Sequence, residues 1–192
     1  MARPPYDFVC FDLDGTLLPS TTVCLHLWQA FGHLDRMADF ERRYDTGEIT
    51  NQEVAEADAA NWQGVQTGEI CRALEDAPTI EGLADTVTTL HEHGIDSYIT
   101  TITWKLAADY FANRYGFAGA TGCEMGIEDG RVIGEVSRHF DADGKVAFAA
   151  AVCAERGIGP ERCVAVGDSQ SDLPLFGFAG LSIALNATPD AR

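Results

Sequence analysis

Lysine is almost missing from this chain. Of 13 basic residues in 192, only Lys105 and Lys145 are lysines, against 30 acidic residues. The formal net charge of −17 repels phosphate backbones and anionic headgroups, so neither nucleic-acid binding nor membrane-surface binding is expected. An acidic, lysine-poor surface suits concentrated salt, where screening removes its self-repulsion; an acidic protein from a GC-rich gene would have the same composition. Long apolar runs are missing too, and none approaches the ~18 residues that a spanning helix needs. The opening MARPPYDFVCFDLD carries charge inside its one apolar run and does not read as a secretory signal. The six cysteines form no CxxC pair and sit in apolar runs such as FVCF and CVAVG. They read as buried free thiols in a reducing, cytoplasmic compartment. The five histidines, His26, His33, His91, His93 and His139, show no zinc-type spacing. Repeats and low-complexity linkers are absent.

What is present is the balance of a folded domain with room for an insertion, 46% hydrophobic and 22% charged. Residues Tyr6 to Phe11 form a short apolar run that stops abruptly at DLDGT, as a buried parallel strand does on meeting a functional turn. From about Pro19 to Thr79 the spacing is helical, broken by Gly, Thr and Asn, with no convincing strand. A helix continues to a cap at Gly94. Strand and helix then alternate: IDSYITT, a helix ending at Gly116, a hairpin over Thr121 to Val136 turning at EDG, and a helix opened by Asp141 or Asp143 and closed by Gly157. The strand CVAVGD, a short helix over SDLPLFGFAG and the strand LSIALNA complete the series. Alternation of this kind implies an α/β fold with a parallel sheet. The predicted division is a core of residues 1–18 and 80–192 with an all-helical cap, residues 19–79, inserted after the first strand and covering one sheet edge.

Ligands of open parallel sheets bind at the carboxyl ends of the strands, and a coherent set of residues falls there. Asp12 and Asp14 follow the first strand, two apart and on one side of extended chain, with Gly15 turning the backbone away. Asp14-Gly15 also reads as an ordinary turn, and Asp12 as a loop acid. Two carboxylates this close repel and draw in a proton or a cation; a hard divalent ion answers that, magnesium being usual beside phosphate. Asp168 stands at a strand end after Gly167 and Asp172 lies four residues on, in the first turn of the following helix, sharing a face with it. The helix dipole alone would explain Asp172 but not Asp168. Lys145 stands in the first turn of a helix, against the dipole, in a chain that avoids lysine. It is either a lone surface lysine or the charge that compensates these carboxylates and a phosphoryl group. Thr101, or Thr100, ends the second strand and offers a hydroxyl, although threonine is also an ordinary strand residue.

The order FDLDGT, strand-ending threonine, Lys145 and VAVGDSQSD resembles the haloacid dehalogenase-like hydrolases over nearly the whole chain, most closely their phosphoserine phosphatase-like branch. The helical insertion and the hairpin have counterparts there. The resemblance implies a Rossmann-like core and a Mg2+-dependent phosphomonoester phosphatase working through a phosphoaspartyl intermediate. Asp12 would be the nucleophile and Asp14 the general acid and base. Mg2+ would be held by Asp12, the backbone carbonyl of Asp14 and Asp168, with Asp172 orienting the metal shell and Lys145. Thr101 and Lys145 would bind phosphoryl oxygens. The second aspartate of the motif disfavours dehalogenase chemistry. The other functions weighed are a phosphotransferase using the same aspartate and a non-catalytic phosphate- or metal-binding regulator.

The sequence departs from phosphoserine phosphatases where they meet their substrate. Thr21 stands at the place of the glutamate that meets the ammonium, the arginine that meets the carboxylate falls by counting near Glu56, and Thr101-Ile102-Thr103 replaces Ser-Gly-Gly. A small phosphomonoester is the implied partner, with its identity open. Trp104 and Lys105 could face the cap. Lys105, Arg42 and Arg43 are candidates for an anionic substrate group, or are surface charges. Trp28, Phe31 and Phe40 read as cap core.

Overall fold

The full burial of the first strand organises the molecule. The computed structural model describes residues 4–32, 39–40, 42–44 and 46–187. Strand β1 (Phe8–Phe11) is buried on both faces. Phe8 and Cys10 face one hydrophobic cluster, and Val9 and Phe11 face another, the two-residue period of a strand enclosed by helices. Five further strands complete one sheet: β2 (Asp96–Trp104), β3 (Gly119–Glu128), β4 (Arg131–Arg138), β5 (Cys163–Gly167) and β6 (Leu181–Ala184). Their order is β4-β3-β2-β1-β5-β6. All neighbours are parallel except β3 and β4. Strand β1 is central, so the chain leaving Phe11 emerges in the middle of the carboxyl edge.

Helices α1 (Val23–Phe31), α2 (Asn51–Asn61), α3 (Thr67–Ala73) and α4 (Leu83–Glu92) lie between β1 and β2. Helix α5 (Lys105–Tyr115) joins β2 to β3, α6 (Ala142–Arg156) joins β4 to β5, and α7 (Leu173–Phe178) joins β5 to β6. Asp141 caps α6 through its side chain, which accepts from Gly144 N–H, so Asp143 is not the cap. The described residues of the α1–α3 insertion bury no separate core. Trp28, Val54 and Trp62 from it share one continuous cluster with Val9, Phe11 and Trp104 of the sheet. Phe31 and Phe40 pack half-buried against the same cluster.

Two strand ends differ from expectation. β2 does not stop at Thr101 but runs to Trp104, with a register shift against β3 between Thr100 and Trp104. Gly122 permits this close approach, since a Cβ there would lie 2.6 Å from the Thr103 carbonyl oxygen. The hairpin is not an appendage: β3 pairs with β2, so the hairpin is the sheet edge, turning at Asp129 and Gly130, both at positive φ (48° and 74°). The segment between α2 and α3 is laced to that edge. Gly64 N–H donates to Val132 O (2.8 Å), Val132 N–H to Val65 O (3.0 Å) and Thr67 N–H to Gly130 O (2.9 Å).

All six cysteines are free thiols, five of them buried. No helix among the described residues is long and apolar enough to cross a membrane.

Candidate active site

Asp12 continues the sheet ladder by one bond, its N–H donating to Val166 O at 2.8 Å, which fixes its side chain at the strand end. That side chain is almost wholly buried beneath a cavity of about 610 Å³, a volume suited to a small molecule. Lys145 enters from the first turn of α6 and is fully buried, with no exposed surface at all. Its Nζ donates to Asp12 Oδ1 at 2.8 Å, Asp172 Oδ1 at 2.6 Å and Ser171 Oγ at 3.3 Å. It is therefore a compensating charge and not a surface lysine.

The other oxygen of Asp172 accepts the backbone N–H groups of Asp168 and Ser169, each at 3.1 Å. This carboxylate thus ties the loop after β5 to the lysine. Asp168 Oδ1 accepts from Thr16 Oγ1 at 3.0 Å. Gly15 is needed twice over: its φ is +74°, and a Cβ would stand 2.2 Å from Asp168 Oδ2. Asp12, Asp168 and Asp172 each offer one oxygen within 4.8 Å of the others. An all-oxygen, anionic donor set of this kind fits a hard divalent ion. The carboxylate of Asp14 is not in that group. Its Oδ1 accepts from Val23 N–H at 2.7 Å at the start of α1, and the residue lines the cavity.

The electrostatics follow from burial. Desolvation pushes Asp12 up to about 7 from an ordinary 3.8, outweighing the lowering by Lys145, and the carboxylates of Asp172 and Asp168 add to the rise. Asp168 is raised in the same way. Lys145 is held above its usual range: desolvation would lower it, but the charges of Asp12 and Asp172 prevail. The ammonium is thus firmly protonated, whereas Asp12 is poised near neutrality until a cation shares it.

Of the remaining sequence candidates, Thr101 is fully buried and lines the cavity, its Oγ1 accepting from Thr103 N–H at 3.3 Å. Thr100, on the alternate face of β2, does not line it. Thr21 and Trp104 line it as well. Glu56 does not; it is exposed, 3.7 Å from His139 Nε2. Lys105 pairs with Asp109 at 2.6 Å, Arg42 with Asp39, and Arg43 with Glu48 at 3.5 Å. None of these three cations lines the cavity. His33 lies outside the described residues. Cys123 lines the wall, but burial pushes its thiol up to about 11, which removes thiolate reactivity.

Sequence reasoning missed Asp58. It projects from α2 and is buried. Its Oδ1 accepts from Trp28 Nε1 at 2.6 Å, and its Oδ2 from Cys24 Sγ at 2.8 Å and Trp104 Nε1 at 3.2 Å. Its signal was present: Asp58 falls on the same helical stripe as the buried Val54, Ala55 and Ala59, where an acid is out of place.

A strand-end aspartate pair, a buried lysine and a second acidic loop on this sheet define a known class, and residues 9–177 match the family model for haloacid dehalogenase-like hydrolase. The chain belongs to that family. It is 29% identical over 180 residues to a phosphoserine phosphatase of Archaeoglobus fulgidus, an alignment covering 93% of this chain and 52% of the relative. The chain thus spans about half the length of that curated relative. Among solved structures, a HAD family hydrolase from Salmonella enterica serovar Typhi superposes with a TM-score of 0.90 at 18% identity, over 98% of this chain and 65% of the other. A phospho-aspartyl intermediate analogue of phosphoserine phosphatase superposes with a TM-score of 0.83 at 20% identity, over 98% and 90%. At these identities the superpositions establish the fold.

Proposed function

We propose that this protein is a Mg2+-dependent phosphomonoester phosphatase that works through a phosphoaspartyl intermediate. The observation that carries the reading is the buried Asp12–Lys145–Asp172 chain at the floor of the cavity, with Asp168 alongside. The curated phosphoserine phosphatase relative supports it.

Lys145 holds Asp12 Oδ1, which leaves Oδ2 to attack phosphorus in line as the ester P–O bond breaks. Asp14, on the cavity lining, gives its proton to the departing alkoxide. It then takes a proton from the water that attacks phosphorus, freeing phosphate and restoring the Asp12 carboxylate. Asp12, Asp168 and the Asp14 backbone carbonyl would hold Mg2+, which when bound supplies charge neutralisation for the phosphoryl oxygens. Asp172 orients Lys145 and the Asp168 loop, while Thr101 and Lys145 bind phosphoryl oxygens. Residues 1–18 and 80–192 form the catalytic core, residues 19–79 a cap that shapes the substrate end of the cavity, and the protein acts in a salt-rich cytoplasm.

The test is phosphate release from a panel of small phosphomonoesters with Mg2+ in high salt, beside Asp12→Asn. Asp12-dependent release is the expected result. Release that falls when an acceptor alcohol is added, with a new ester appearing, would convert the reading to phosphotransfer. No Asp12-dependent turnover of any ester would overturn it.

A further inference from the structure

Asp58 is a buried carboxylate at the wall of the cavity, and its three hydrogen-bond donors among the described residues are neutral: two indole N–H groups and a thiol. Two tryptophans and a cysteine from α1, β2 and their surroundings converge on one acid, which fixes its position to within the play of those rings. They supply partial charge but no counter-charge, and a desolvated carboxylate lacking one is raised by burial, as Asp58 is. Apart from Asp58, the acids of the described lining are Asp12, Asp14 and Asp168 at the strand ends; the remaining walls are hydroxyls, amides, thiols and apolar groups, with Thr21, Asn51 and Thr103 among them, and no described lining residue is basic. A carboxylate on the substrate would meet Asp58 with like charge and find no cation. An ammonium would supply the missing counter-charge inside a low-dielectric wall, where such a pairing is strong.

We infer that Asp58 is the specificity-determining residue of this cavity, selecting phosphomonoesters whose leaving alcohol carries an ammonium and no carboxylate, and rejecting those that carry a carboxylate alone. The inference rests on the phosphatase reading for the phosphate end of the substrate. The Asp58 end stands on its own contacts. Phosphoserine, which carries both charges, falls between the two extremes.

The experiment compares phosphoethanolamine, phosphoserine, glycerol 3-phosphate and 2-phosphoglycolate as substrates of the full chain with Mg2+. In the wild-type protein, kcat/KM should fall in the order amine, zwitterion, acid, with phosphoethanolamine at least about 100-fold above phosphoglycolate, because one buried polar partner left unpaired is worth that much discrimination. Asp58→Asn keeps an acceptor for the indoles and removes the charge. It should compress the amine-to-acid ratio to under about tenfold, mainly through KM. A wild-type protein that prefers phosphoglycolate overturns the inference without recourse to any variant, and so does a folded Asp58→Asn protein whose ratio is unchanged.

Calorimetric binding of phosphoethanolamine and phosphoglycolate to Asp12→Asn, with and without Asp58→Asn, separates the two readings. Asp58-dependent preference for phosphoethanolamine in binding, with no turnover by the parent protein, would keep the subsite and overturn the phosphatase. Turnover indifferent to Asp58 would do the reverse.

Discussion

Lys145 and Asp172 hold each other at 2.6 Å with neither side chain open to solvent. The same carboxylate takes two backbone N–H groups of the loop after β5. One aspartate thereby couples a lysine from α6 to the loop after β5 that carries Asp168, and through Lys145 to Asp12 at the end of the central strand. The geometry of the site is set by this chain of contacts across three elements.

Replacing Lys145 by Ala should therefore do two separable things. The rate should fall by about 10²–10³, the effect of one preorganised charge contact. Stability should fall as well, by about 3–5 kcal/mol, because two buried carboxylates lose their only cation among the described residues. Steady-state kinetics and urea unfolding read these independently, and a rate loss under tenfold would contradict the phosphoryl-binding role.

Asp12→Asn should abolish turnover while leaving the circular dichroism spectrum and the melting cooperativity in place, since asparagine still offers Lys145 an acceptor. Retained turnover would remove Asp12 as the nucleophile.

The raised pKa of Asp12 sets a pH dependence. With its folded value near 7 against an ordinary 3.8, the group stabilises the metal-free fold fully below about pH 4, and that contribution is lost as pH rises through 7. A divalent ion competes with the proton for the same oxygen. The gain in melting temperature on adding Mg2+ should thus be small at pH 5.5 and larger at pH 8; an equal gain at both would show that the ion binds elsewhere.

Gly15→Ala should lower both activity and stability. The left-handed backbone alone costs about 1–2 kcal/mol, and the new methyl would displace Asp168 from the site. Melting temperature and the Mg2+ concentration giving half-maximal rate should move together.

The surface charge makes its own forecast. With 30 acidic residues against 13 basic ones, self-repulsion should relax as KCl rises from dilute to molar. The melting temperature should climb over that range, and a flat response would remove the high-salt reading.

The core of this arrangement was legible in the sequence because strand-end chemistry is local. An apolar run stopping at DLDGT, a lysine against the helix dipole and an acid after VAVG each announce themselves within a few residues. The end of β2 was less legible: nothing in the Thr-Ile-Thr run announces a bulge, and only the close approach permitted by Gly122 lets the strand shift register and continue to Trp104. Asp58 was hidden for a different reason. Its partners Trp28 and Trp104 lie 30 and 46 residues away, and nothing local distinguishes an acid that closes a cavity from one on a solvated helix face except the apolar company it keeps on its stripe. Lys105 shows the converse, a rare residue at a promising strand end that turns to Asp109 one helical turn away.

The backbone bonds between residues 64–67 and β4 bear on how this molecule could be rebuilt. The hairpin is an outermost strand pair, and the linker between α2 and α3 occupies its outer rim. Excising the helical insertion, or grafting in one from another enzyme to change its preference, would strip that rim and leave a row of open donors and acceptors ready to recruit a neighbouring molecule. Point changes at Asp58 and Thr21 are therefore a better test of selectivity than exchanging the insertion whole, since the insertion also serves as the selvedge of the sheet.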